Sequence, residues 1–131
     1  MKLKLTAIMT FTIISNQAFA ACSQLDAKGT WIAYQSAFVS ALGEQHVGQC
    51  KLVVDTKGLI NASTSYCEFI TFHTDRIPTN GTFKVKSDCS ADINLELGSF
   101  VGQVQIEKNK YAYLGRFETS TVSGTTMAVK Q

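Results

Sequence analysis

From residue 29 to residue 130, apolar residues return at every second position, and clusters of Gly, Asn and Asp interrupt them. That is the pattern of half-buried strands joined by turns. Phe83 and Val85 alternate with Thr82, Lys84 and Lys86, and Ile93, Leu95 and Leu97 alternate with Asp92, Asn94 and Glu96. Residues 51–54, the turn Asp55-Thr56-Lys57-Gly58 and residues 59–61 read as a hairpin, with Gly58 where a left-handed backbone is needed. No window keeps an apolar stripe at helical spacing over three turns. The pattern predicts eight strands, at 29–39, 46–55, 58–67, 81–87, 91–97, 100–107, 110–117 and 124–130. Strands in such a meander, joined mostly by short connections, suit an antiparallel up-and-down barrel, which closes on itself and leaves no exposed edge. A β-sandwich is the alternative. It needs long crossing connections, and only 68–80 is long enough to be one.

The first twenty residues break this rhythm. Lys2 and Lys4 precede an apolar run from Leu5 to Ile14, and Ala18-Phe19-Ala20 follows. A basic start, a core of roughly ten apolar residues and an A-x-A site make a secretory signal peptide. That core is too short for a bilayer, which needs about 20 residues. The organisation expected is a signal peptide at 1–20 and one β domain at 21–131, exported to a periplasmic or secreted location. Cys22 lies two residues past the cut, where acylation would anchor the protein to a membrane. Phe19 stands where lipoprotein sites usually carry Leu, so soluble export is the expectation, and membrane contact is tied to lipidation of Cys22.

Composition narrows the function. Without Lys2 and Lys4 the 12 basic residues become 10, matching 10 acidic ones. A neutral domain with no Lys/Arg cluster is a poor match for nucleic acid, whose binding rests on phosphate neutralisation. The 4 cysteines, Cys22, Cys50, Cys67 and Cys89, imply two disulfides in an exported domain. They contain no C-x-x-C pair, which argues against structural zinc. In the meander, Cys22 and Cys89 both fall at the lower end, and Cys50 and Cys67 both fall in the upper half. The expected pairs are therefore Cys22–Cys89 and Cys50–Cys67. A regular hairpin centred on Thr56-Lys57 sets residue 63 opposite Cys50, so the second pair requires a bulge or bend.

Gly29-Thr30-Trp31 at the start of the first strand resembles the G-x-W opening of lipocalin-type barrels, the calycin group. The resemblance implies structural roles for Gly29 and Trp31, with the Trp packed at the closed end against a cation of the last strand. Lys130 occupies the comparable place, where that group usually has Arg. In size and export the chain is similar to bacterial periplasmic metalloprotease inhibitors, small barrels with an early G-x-W and a disulfide. They act through an N-terminal trunk, which a Cys22–Cys89 bond would tie down here. Avidin-like barrels share the short length, but the biotin-binding pattern is not found.

Candidate chemistry is sparse. His46 and His73 are the only histidines, and no G-x-S-x-G frame accompanies His73 and Asp75. His46, Glu68, His73 and Asp75 all belong to the upper rim but lack metal-ligand spacing. No catalytic residue, metal or cofactor is expected. Asn61-Ala62-Ser63 and Asn80-Gly81-Thr82 match the glycosylation pattern, which matters only in a eukaryotic secretory route. The connection 68–80 is the longest and is unusually apolar. Phe69, Phe72, His73, Asp75 and Arg76, joined by His46, are the candidate ligand- or partner-binding residues, on a loop that either folds over the barrel mouth or meets a protein. The expected function is that of a non-enzymatic binding protein for a small apolar ligand or a protein partner. A secreted protease inhibitor is the alternative, and an enzyme of unidentified class comes third.

Overall fold

The alternation becomes ten strand segments among the described residues: β1 (Gly29–Val39), β2 (Glu44–Val54), β3 (Leu59–Ile60), β4 (Tyr66–Phe69), β5 (Ile77–Pro78), β6 (Gly81–Val85), β7 (Ser90–Leu95), β8 (Gly98–Gln105), β9 (Ala112–Glu118) and β10 (Val122–Lys130). The computed structural model describes residues 21–40, 42–69, 75–105, 112–118 and 122–131. Residues 1–20, expected from sequence to be a signal peptide, and Phe72 and His73 lie outside them. Every pairing is antiparallel, in the order β1-β10-β9-β8-β7-β6-β3-β2, and β2 returns to β1. Eight strands therefore close a barrel. Both disulfides form as expected, Cys22–Cys89 and Cys50–Cys67, as befits an oxidising compartment.

The expected strand 58–67 is two pieces, β3 and β4. Val54 pairs with Ile60, and a continuous ladder would bring Thr64 opposite Cys50; the actual partner is Cys67. The turn at Asn61–Ser65 absorbs the extra residues. Asn61 Oδ1 accepts the Ser63 amide at 2.9 Å, and its carbonyl accepts the amides of Thr64 and Ser65. Buried Ser65 then repairs the broken ladder, because its Oγ accepts the Val53 amide at 2.9 Å. This is the bend that the Cys50–Cys67 bond requires. Beyond it, β4 and β5 form a short flap. Pro78 sits in its outer strand, where a missing amide costs no ladder bond.

The lower half of the barrel is solid. Trp31, Phe83 and Tyr113 are fully buried, with ring centroids 5.2 Å apart for Trp31–Phe83 and 5.4 Å apart for Phe83–Tyr113. Leu52, Ile93 and Val104 complete this layer. A 3₁₀ turn at Gln24–Ala27 plugs the floor. Trp31 Nε1 donates to the Ala27 carbonyl at 2.7 Å, and Lys130 Nζ donates to the Asp26 carbonyl at 2.9 Å while lying 5.3 Å from the Trp31 ring centroid. Burial holds the Lys130 pKa below the usual lysine range, partly countered by Asp26. Gln24 acts like a short strand beside β6: its Nε2 donates to the Phe83 carbonyl and its Oε1 accepts the Val85 amide.

Candidate functional site

Above the aromatic layer the barrel opens. Inward positions near the top of β1 are Gln35, Ala37 and Val39; β2 contributes His46 and Cys50, and β4 contributes Cys67 and Phe69. Leu95 and Leu97 come from the end of β7 and its turn, Gly98, Ser99 and Phe100 from β8, and Val122 from β10. Together they line a cup of about 240 Å³. Directly beneath it, between Ala33, Leu52, Ile93 and Thr126, only about 10 Å³ remains. That is room for about one water. The barrel is thus neither wholly filled nor wholly open: its lower half is core and its mouth is a cavity.

Two sequence choices make this room. On β1 the inward positions Ala33 and Ala37 are small, unlike Trp31 below them, and leave space against the wall. Gly48 on β2 leaves space for its neighbours: a Cβ there would come within 2.6 Å of Gln35 Nε2 and 3.1 Å of the Phe69 ring. The Gln35 amide and the Phe69 ring therefore lie over a bare stretch of backbone. The Cys50–Cys67 bond joins directly paired residues in the same wall and fastens β4, which carries Phe69, to β2.

The cup is electrically plain. Its described lining contains no carboxylate, ammonium or guanidinium; Gln35, His46 and Ser99 are its polar side chains. Two of the expected rim residues face elsewhere. Asp75 and Arg76 are exposed, and Arg76 Nε meets Glu68 Oε1 at 2.6 Å with its guanidinium 4.4 Å over the Tyr66 ring. The hydrogen bond to Glu68 raises the Arg76 pKa further. This pair braces the outside of the β4–β5 flap. Phe69 and His46 thus share the cup, and Arg76 and Asp75 do not line it. Among the described residues no three His, Cys, Asp or Glu side chains come together as metal ligands.

Sequence reasoning passed over most of the lining, namely Gln35, Ala37, Val39, Leu95, Leu97, Ser99, Phe100 and Val122. The signal that finds them is parity. Once Trp31 is taken as inward, residues 33, 35, 37 and 39 follow on β1. The chain matches no protein-family model, no curated protein and no solved structure.

Proposed function

We propose that this protein is an exported, non-enzymatic barrel that binds a small, uncharged and largely apolar ligand in the cup at its open end. The observation that carries this reading is an apolar cavity of about 240 Å³ standing over a packed core. A cavity of about 150 Å³ holds a benzene-sized molecule, so this one suits a bicyclic body, with any longer substituent leaving through the mouth. A charged ligand is disfavoured, because the lining offers no counter-charge and desolvating an ion without one is expensive. Gln35 and Ser99 supply hydrogen bonds for one polar group on the ligand.

The test uses N-phenylnaphthylamine, an uncharged dye that brightens in apolar surroundings. The oxidised domain should give a saturable one-to-one enhancement. Ala37→Phe, which projects a ring into the cup, should abolish it while the circular dichroism spectrum stays the same. Absence of saturable binding, or binding indifferent to Ala37→Phe, overturns the proposal.

A second reading, presentation of the rim to another protein, is favoured by Phe38, Leu42 and Leu97, which stand exposed at the upper end. Under that reading Leu42→Lys, whose side chain is not part of the cup lining, weakens partner capture and leaves dye binding unchanged. The trunk mode of protease inhibition is less well supported, since Cys22 and residues 24–27 are built into the floor.

A further inference from the structure

The cup has a floor, and one polar side chain lies on it. Gln35, Cys50, Leu95 and Phe100 line both the cup of about 240 Å³ and the void of about 10 Å³ beneath it, so they divide the two. Cys50 is taken up in a disulfide, and Leu95 and Phe100 are apolar. His46 and Ser99 line only the cup. Register places Gln35 in a cross-strand row with Thr126 on β10, Gly48 on β2 and Phe69 on β4. None of these three answers an amide in full. Gly48 has no side chain, Phe69 has no polar side-chain atom, and the Thr126 hydroxyl donates to the Tyr34 carbonyl at 3.0 Å. The Gln35 amide therefore brings two N–H donors and a carbonyl acceptor to the bottom of an apolar cavity. Among the described residues its side chain makes no hydrogen bond.

We propose that Gln35 is the specificity-determining residue of the cup, and that the ligand it selects is a neutral bicyclic lactam, with N–H and C=O on one edge of the ring. The inference rests on the cup-binding reading and names the ligand class for it. A glutamine amide is itself an N–H and a C=O side by side. The group that satisfies both at once carries the same pair in the opposite order, as a lactam does, and the two edges close through two antiparallel hydrogen bonds. A ketone or ether only accepts, and leaves the Gln35 carbonyl unpaired. A single hydroxyl oxygen cannot meet both amide atoms with straight bonds. A carboxylate brings a charge, and the described lining holds no counter-charge for it. With its polar edge on the floor, the ligand's ring body stands among Phe69, Leu97 and Val122 toward the mouth.

Gly48 is what seats the amide. A Cβ at that position would stand 2.6 Å from Gln35 Nε2, so the amide rests in space that any other residue would fill. It lies against the β2 wall and leaves the centre of the cup clear for a ring. A ligand that covers Gln35 strips water from it. If that ligand is apolar throughout, the amide is left buried and unpaired, which costs more than an imperfect fit between apolar surfaces. The lactam repairs this with two hydrogen bonds, so a preference of about tenfold or more over an analogue without the N–H is expected.

Displacement of N-phenylnaphthylamine by a matched pair of bicycles tests this. Dihydrocarbostyril is the lactam, and β-tetralone has a methylene where the lactam has its N–H. On the oxidised domain the lactam should bind about tenfold tighter or more, and its N-methyl derivative should lose that advantage. In Gln35→Met, which keeps the length of the side chain and removes the amide, the lactam and β-tetralone should bind within about twofold of each other. The N-methyl comparison uses the unaltered protein and stands whether or not the variant folds. Equal affinities for lactam and β-tetralone, an N-methyl lactam that binds as tightly as the lactam, or a preference that survives in folded Gln35→Met overturns the proposal. Saturable dye binding without a lactam preference overturns this inference alone. Absence of saturable dye binding overturns the cup-binding reading, and this inference with it.

Discussion

The Cys22–Cys89 bond is expected to contribute more stability than Cys50–Cys67, for a reason that lies in the unfolded chain. The bonds span sequence separations of 67 and 17 residues. Loop-closure entropy assigns about 4.4 kcal/mol to the longer and about 3.1 kcal/mol to the shorter at 25 °C. The bonds are nested, so the intact inner bond shortens the outer loop to roughly 50 residues and lowers its contribution to about 4.1 kcal/mol. The Cys22→Ala/Cys89→Ala variant should therefore lose about 4 kcal/mol, and Cys50→Ala/Cys67→Ala about 3 kcal/mol. Small domains are stable by about 5–15 kcal/mol, so either loss is a large share of the total. Cys89 adds a second, separable effect. It holds a left-handed backbone with φ of 66°, which alanine tolerates poorly and glycine adopts freely. Cys22→Ala/Cys89→Gly should accordingly be more stable than the double-alanine variant by about 0.5–1 kcal/mol, after allowing for the greater freedom of unfolded glycine. Equilibrium urea unfolding reads all three, followed by fluorescence of the single Trp31, which is fully buried when folded. If loss of the inner bond costs as much as loss of the outer one, the entropic reasoning fails. The inner bond would then act through the native packing of β4 against β2.

Other consequences follow from the barrel interior. Tyr113 is fully buried, and its hydroxyl has no hydrogen-bond partner among the described residues. Tyr113→Phe should therefore raise stability by about 1 kcal/mol in urea unfolding at neutral pH. Burial, with a smaller contribution from Asp92, pushes the Tyr113 pKa well above its ordinary value of 10.0. The unfolded chain thus loses this proton first as pH rises, and folding stability should fall above about pH 10. Tyr113→Phe should remove that part of the alkaline loss; an unchanged stability–pH slope in the variant would refute the assignment. Gly102 faces Gly115 across β8 and β9, and a Cβ at Gly102 would strike the Leu114 carbonyl and lie 2.5 Å from Gly115 Cα. Gly102→Ala should cost about 3 kcal/mol, at the top of the usual overpacking range. At Gly43, where φ is +65° and nothing lies within 4 Å, alanine should cost only about 1 kcal/mol, from backbone strain. Comparing the two urea midpoints checks whether space or φ governs these turns and strands.

Much of the fold was legible because a β chain writes its two faces into alternate positions. The meander order follows from short connections, and that order sorts the four cysteines by barrel end. The break in the third strand was less legible. Nothing in residues 61–65 distinguishes a hairpin continuation from a turn until the side-chain hydrogen bonds of Asn61 and Ser65 are seen. The connection 68–80 was read as one apolar loop, yet Ile77 and Pro78 pair with β4 and Arg76 turns outward to Glu68. A loop's composition carries no information about which of its side chains faces the barrel mouth.

The residues alone determined the class of this protein: strands of period two and four cysteines that pair as two disulfides. These are local or additive properties, and a linear chain displays them. Only the tertiary structure decided where the barrel is full and where it is hollow. That depends on how Trp31, Phe83 and Tyr113 fill one layer while Ala37, Gly48 and Val122, distant in sequence, leave room in the next. It also brought Gln35, Gly48 and Phe69 into one inward row. Volume and surface shape are sums over residues that meet only on folding, and no stretch of sequence carries them.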